Sequence, residues 1–195
     1  RQGAIRKLVY TGLGGAPALR DLPAFIDHAT GVHPTDGSLL DVPCGEGVVE
    51  RLLEQQAWHG RVIALDLASR AVAHVSQLEV GYELDVVRGS ALDMPLDDAS
   101  IDTVISINGL HVMPDHGAFL AEIARVLTPG GSAWLTTITS GPGLRRRAMI
   151  GAVRQLGVLP VAPPTATELD RLIEGAGLRV AERLGGSTVV ALELQ

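Results

Sequence analysis

The sequence predicts an α/β fold: a doubly wound, mostly parallel sheet of seven strands, closed at its C-terminal end by an antiparallel hairpin. Three observations predict it. From about residue 38 to about residue 139, short apolar strand patterns alternate with amphipathic helix patterns. Such alternation places a parallel sheet between two layers of helices. A glycine-bearing loop follows the first strand, where sheets of this kind bind ligands. The last two strand patterns are joined through Gly185-Gly186 alone, and so short a join makes them antiparallel neighbours.

The elements follow in order. Leu22, Phe25, Ile26 and Ala29 fall on one face of a helix ahead of the sheet. Ser38 to Val42 is a short buried strand, and Val48 to Ala57 a helix. Arg61 to Leu67 is the second strand, followed by a helix over Ser69 to Glu79 with Ser69 as N-cap. Leu84 to Arg88 and Ser100 to Ile107 are the third and fourth strands. Asp115 caps a helix running to Leu127, with Phe119, Leu120, Ile123 and Val126 on one face. Pro129-Gly130-Gly131 is a turn into a fifth strand, Ser132 to Thr139. Thr167-x-x-Asp170 opens the last helix as a capping box, and Gly177 stops it. Leu178 to Leu184 and Ser187 to Leu194 complete the hairpin.

Composition bounds the function. A chain of 195 residues with 46% hydrophobic content makes one ordinary domain with a real core. The reading is a single domain, 1–195: an N-terminal helical cap over 1–37, a core over 38–139, a variable insert over 140–166, and a C-terminal helix and hairpin over 167–195. The net charge of −6 argues against nucleic acid as a partner, because such binding rests on neutralising phosphates. Two Trp, two Tyr and two Phe are too few for a base-stacking platform. No apolar run is long enough to cross a membrane. Residues 1–10 lack the apolar stretch of a leader peptide. A lone Cys44 excludes an internal disulfide framework and fits the reducing cytoplasm. A small-molecule substrate is the expected partner, and a homo-oligomer is left open.

Leu39-Leu40-Asp41-Val42-Pro43-Cys44-Gly45-Glu46-Gly47 occupies the loop after the first strand. Gly45 and Gly47 allow backbone to approach a ligand closely. A dinucleotide site wants Gly-x-Gly-x-x-Gly, but Glu50 stands where the third glycine belongs, and a carboxylate there repels a pyrophosphate. Asp41 ends an apolar strand, and a buried carboxylate needs a partner. A ligand ammonium, directly or through water, supplies one.

With these residues the sequence resembles the class I S-adenosylmethionine-dependent methyltransferases, in their small-molecule, type 11 branch. The family's first motif, acidic-x-Gly-x-Gly-x-Gly, corresponds to Asp41 through Gly47, with Pro43 in place of the first glycine. Asp66 ends the second strand where the family places a carboxylate for the ribose hydroxyls, and Leu67 follows it. Gly89-Ser90-Ala91-Leu92 corresponds to the segment against the adenine, with Ser90 where the family usually has an acid. Asp93 either substitutes for that acid or is a turn residue. Asn108-Gly109-Leu110-His111 corresponds to the loop after the fourth strand. The resemblance covers residues 38 to 195 and implies a Rossmann-like fold, S-adenosyl-L-methionine as cofactor, and S-adenosyl-L-homocysteine as product. It implies cofactor contacts at Asp41, Pro43, Cys44, Gly45, Gly47, Asp66, Leu67, Ser90, Ala91, Leu92 and Asn108. His111, Asp115 and His116 are poorly spaced for a metal on a helix face and no further ligand accompanies them, so no metal is expected.

Methyl transfer from a sulfonium is an in-line displacement in which the protein supplies position and dryness. A base is needed only when the acceptor must lose a proton. His111, expected at the mouth of the pocket, is the candidate; a pocket-wall role is its alternative. Amino-methylating relatives carry Asn/Asp-Pro-Pro-Tyr/Phe after the fourth strand, which this chain lacks. The expected function is therefore methylation of a small molecule. A non-catalytic S-adenosylmethionine-binding regulatory or assembly subunit is the alternative, motivated by Pro43 and Ser90. Tyr10 and Phe25 are the aromatics left to cover an acceptor.

Overall fold

Leu39 and Leu40 are neighbours on one strand, and both are fully buried, in apolar clusters on opposite faces of the sheet. Val62 and Ile63 repeat the pattern, as do Val104 and Ile105. Successive side chains of a strand point to opposite faces, so strands apolar at every position belong to a sheet covered on both sides. The computed structural model, which describes residues 22–31, 36–140, 144–156, 161–184 and 189–194, has that architecture.

Its elements are α1 (Leu22–Gly31), β1 (Ser38–Asp41), α2 (Val48–Gln55), β2 (Arg61–Asp66), α3 (Ser69–Val75), β3 (Glu83–Arg88) and β4 (Ile101–Ile107). After a short 3-10 turn, Leu110–Val112, come α4 (His116–Val126), β5 (Leu127–Thr136), α5 (Leu144–Gln155), α6 (Ala166–Gly175), β6 (Leu178–Leu184) and β7 (Val189–Leu194). Strand order is β3-β2-β1-β4-β5-β7-β6. The pairs from β3 through β5 are parallel, whereas β7 runs antiparallel to both β5 and β6. The chain goes outward from β1 through β2 to β3, then returns to β1's other side with β4. That reversal opens a crevice at the carboxyl ends of β1 and β4.

One apolar cluster packs α4 and α6 on the face carrying Leu40, Ile63 and Val104. The other packs α1 and α2 on the face carrying Leu39, Val62 and Ile105. Phe25 lies edge-on to Trp134 at a centroid distance of 6.2 Å. It is a core residue at 7% exposure, so it does not cover an acceptor as expected. Tyr10 lies outside the described residues, as does the Gly185-Gly186 join.

Several local expectations are corrected. Ser69 is the first helical residue of α3, and Ala68 occupies the N-cap without a side-chain bond. The carboxylate of Asp66 takes the Ala68 N–H instead, at 2.8 Å. The capping box of α6 is Thr165 with Glu168, not Thr167 with Asp170. Glu168 N–H donates to Thr165 Oγ1 at 3.2 Å and Thr165 N–H donates to Glu168 Oε2 at 2.7 Å, which closes the box two residues earlier. The Pro129-Gly130-Gly131 turn is absorbed into β5 as an irregularity between Ile101 and Thr103 of β4, with Gly130 at φ 86. Asp115 caps α4 as expected, accepting from Ala118 N–H at 2.9 Å. No helix among the described residues is long and apolar enough to cross a membrane.

Candidate active site

The loop after β1 is tied to both neighbouring strands. Val42 N–H donates to the Ile105 carbonyl at 3.0 Å, and Cys44 N–H to the Leu65 carbonyl at 2.9 Å. Pro43 follows a cis peptide bond. Gly45 and Gly47 have φ of 55 and 68, the left-handed region that favours glycine. The two glycines differ in purpose. A Cβ on Gly45 would stand in open space, whereas one on Gly47 would meet Leu78 Cδ1 at 2.8 Å. Gly45 leaves room for a ligand, and Gly47 lets the end of α3 and the residues just after it, at Val75 and Leu78, pack tightly against the loop.

Asp66 sits at the carboxyl end of β2, beside this loop. Its Oδ2 accepts from Gly45 N–H at 2.9 Å and its Oδ1 from Ala68 N–H at 2.8 Å. Each oxygen keeps a second lone pair, so the carboxylate can still accept from a pair of hydroxyls. On the far side, Asn108 adopts φ 57, and its N–H donates to Thr136 Oγ1 at 2.8 Å. Between these groups lies a cavity of about 1030 Å³.

Pro43, Gly45, Asp66, Leu67, Ser90, Ala91, Leu92 and Asn108 all line this cavity. Leu67 is 66% exposed there, an apolar surface waiting for a planar or apolar group. Asp41, Cys44, Gly47 and His111 are not on its walls. Ser90 Oγ accepts from Leu92 N–H at 3.1 Å, which closes the turn after β3. Asp93 is exposed, bridges back to Ser90 and lies off the cavity, so it is the turn residue.

His111 does not sit at the cavity mouth. It is 0% exposed, because the 3-10 turn carries it inward beneath the segment that follows β5. Its Nδ1 accepts from Ile138 N–H at 3.3 Å. A nitrogen that accepts is unprotonated, so the neutral ring carries its proton on Nε2.

Behind the loop lies a buried pair of acids. Asp41 is 1% exposed and Glu50 is 0% exposed. Among the described residues, Asp41 Oδ1 and both Glu50 carboxylate oxygens accept no hydrogen bond, apart from a proton that the two acids can share. Burial, and then the charge of Glu50, raises the Asp41 carboxyl well above its ordinary range. Burial pushes the Glu50 carboxyl up to about 6. Two desolvated carboxyls side by side favour retaining a proton. Glu50 turns inward beneath the loop, where its carboxylate does not border the cavity. Burial likewise pushes the Cys44 thiol up, away from the reactive thiolate, as a structural cysteine requires.

The sequence motifs missed one wall. Arg70, Ala71, His74 and Gln77, on and just after α3, line the cavity opposite the strand ends. The signal was their helical spacing after Asp66, with small residues at Ala68 and Ala71 that keep α3 clear of the ligand space.

Residues 40–135 match the family model described as Methyltransferase domain. A Mycolicibacterium smegmatis protein named "Probable S-adenosylmethionine-dependent methyltransferase/" is 34% identical over 151 residues, covering 75% of this chain and 54% of that protein. Phthiotriol/phenolphthiotriol dimycocerosates methyltransferase of Mycobacterium tuberculosis is 35% identical over 103 residues, covering 53% of this chain and 38% of that protein. The chain thus spans about half, or less, of the length of these relatives. Among solved structures, a SAM dependent methyltransferase from Aquifex aeolicus superposes with TM-score 0.66 at 20% identity, over 98% of this chain and 96% of that one. The cyclopropane synthase MmaA2 from Mycobacterium tuberculosis gives TM-score 0.68 at 23% identity, over 83% of this chain and 62% of that one. At these identities the structures show the shared Rossmann-like fold. With the family match laid over the glycine loop, Asp66 and the strand ends that border the cavity, residues 40–135 belong to the methyltransferase domain family, and the chain is similar to S-adenosylmethionine-dependent methyltransferases, whose cofactor is S-adenosylmethionine.

Proposed function

We propose that this chain transfers a methyl group from S-adenosylmethionine to a small-molecule acceptor by direct in-line displacement, as one cytoplasmic domain. The observation that carries the reading is the cavity at the switch between β1 and β4, bordered by Gly45 and by the Asp66 carboxylate. The terminal antiparallel strands beyond β5 support it, because the sequence expects them with this family's sheet.

The residues fit the cofactor. Open space over Gly45 admits it, and Asp66 has acceptor capacity left for ribose hydroxyls. Leu67, Ala91 and Leu92 offer apolar walls for the adenine. Ser90 and Asn108 contribute polar edges, while the Asp41–Glu50 pair behind the loop, which keeps one proton between two carboxyls, supplies its remaining negative charge toward the ammonium end. When bound, the cofactor supplies an activated methyl on a sulfonium. The chain orients it, excludes water, and leaves the acceptor side facing Asn108, Met113 and Pro114. Pro43 and Gly47 shape the loop, and Cys44 fills its underside.

A base role for His111, for acceptors that must ionise, requires its ring to leave its buried place off the cavity wall. That role competes with the Ile138 contact, since a ring protonated on Nδ1 loses its acceptor there. A second reading, a non-catalytic cofactor-binding subunit, draws on the Ser90 hydroxyl being engaged by Leu92 N–H. Turnover to S-adenosylhomocysteine across a panel of small-molecule acceptors tests the proposal. Binding of S-adenosylmethionine with no turnover on any acceptor would favour the second reading.

The segmentation into cap, core, insert and hairpin belongs to the proposal. In it, α1 covers a sheet face, and the region around α5 stands on the acceptor side.

A further inference from the structure

A second cavity of about 750 Å³ lies beside the first and serves none of the roles above. His116 of α4, Ser140, Arg154 of α5, and Thr165, Glu168 and Arg171 at α6 line it. It stands at the carboxyl end of the sheet. Ser140 follows shortly after β5, and Pro114, next to His116's cap, borders the cofactor cavity. Ser140 N–H donates to the Pro164 carbonyl at 2.8 Å, which fixes the two segments against each other.

The polar groups of this cavity are unbalanced. Among the described residues, neither Arg154 nor Arg171 has a carboxylate within salt-bridge distance. Glu168 is the acid on the wall, and it is committed elsewhere: its Oε2 accepts from Thr165 N–H at 2.7 Å in the capping box. The charge of Arg171 favours its ionised form without pairing with it. His116 Nε2 is buried and, among the described residues, has no hydrogen-bond partner. Burial holds that imidazole toward its neutral form. In a chain of net charge −6, two uncommitted guanidinium groups and an unpartnered ring nitrogen share one concave surface. Guanidinium forks match planar or tetrahedral oxyanions bidentately.

We propose that this second cavity receives an anionic oxygen group of the methyl acceptor, a carboxylate or a phosphate ester, held by Arg154 and Arg171 with His116 Nε2 as a further partner. The proposal rests on the methyltransferase reading, since it places the anion beside the cofactor cavity to anchor the acceptor. A hydroxylated neutral lipid leaves both arginines without a counterion, so the site selects against it.

The test uses the full chain and two probes, inorganic phosphate and benzoate. The His116 imidazole resonances, assigned with His116→Gln, are followed by NMR during titration. Saturable shifts with at least one probe are expected, weakened about tenfold or more by Arg154→Gln and by Arg171→Gln. Phosphate alone identifies a phosphate-bearing acceptor, and benzoate alone a carboxylate. No saturable shift with either probe, or affinity unchanged in both arginine variants, overturns the proposal. Both arginines lie outside the cofactor cavity, so calorimetric S-adenosylmethionine affinity should be unchanged in these variants. Failure of the wild-type chain to bind S-adenosylmethionine overturns the methyltransferase reading separately, while anion binding still decides the cavity.

Discussion

Replacing Glu50 with glutamine should stabilise the cofactor-free protein above neutral pH. Glu50 is fully buried, and among the described residues no N–H group donates to its carboxylate oxygens, which face the Asp41 carboxyl. Desolvation lifts its carboxyl from 4.5 to about 6. An acid whose folded value is raised gives stability that is complete below the unfolded value and lost as pH rises through the folded one. That difference amounts to about 2 kcal/mol across the whole titration, and about 1 kcal/mol of it falls between about pH 5 and about pH 8. Asp41 shifts in the same direction and adds to the trend. His116 shifts the opposite way, because a histidine held neutral is stabilising as pH rises, so the wild type alone is ambiguous. The difference between Glu50→Gln and wild type at each pH removes that contribution. The amide introduced by Glu50→Gln also brings a donor toward the unpaired Asp41 oxygen. Urea unfolding followed by circular dichroism at the two pH values measures it. Glu50→Gln should gain about 1 kcal/mol over wild type on going from the lower to the higher pH. Parallel pH profiles, or a variant less stable than wild type at the higher pH, would refute the reasoning.

Four further outcomes follow from named contacts. Asp66→Ala leaves Gly45 and Ala68 N–H groups without acceptors and removes the ribose partner, so S-adenosylmethionine affinity measured by calorimetry should fall by about 1–3 kcal/mol; unchanged affinity would contradict the assignment. Gly109→Ala would drive a Cβ to 2.5 Å from Pro43 Cδ and also onto Ser106 Oγ, so thermal unfolding should show a loss of about 1–3 kcal/mol. Cys44 should resist a thiol reagent in the native protein at neutral pH and react at once after unfolding; rapid native labelling would show an accessible thiolate. His111→Ala should lower kcat far more than cofactor affinity if His111 is a base, and equal small effects would make it a wall residue holding Ile138.

The central strands were legible because buried parallel strands read as near-continuous apolar runs, and the helix of Phe119 and Ile123 because its apolar positions keep helical spacing. Helix ends were less legible. Thr165 and Thr167 each head a plausible capping box, and the Glu168 side chain, one methylene longer than that of Asp170, reaches back to the Thr165 N–H. Ser69 looked like a cap because sequence does not show that Asp66 already satisfies the local N–H. Within the site, Gly45, Asp66 and Leu67 could be read from motif order, since the sheet's switch point fixes where they converge. The depth of His111 could not be read: a one-turn 3-10 segment rotates it inward, and three residues carry no periodicity. The cavity beside α6 was invisible for a different reason. Its arginines come from two successive helices, α5 and α6, whose relative placement no sequence pattern shows, and each alone resembles a solvated surface charge.

The most direct measurement is calorimetric titration of the chain with S-adenosylmethionine and with NAD, repeated with Asp66→Ala. The account predicts saturable binding of S-adenosylmethionine, weaker binding in the variant, and no binding of NAD. Binding of NAD, or S-adenosylmethionine affinity that ignores Asp66, would contradict it.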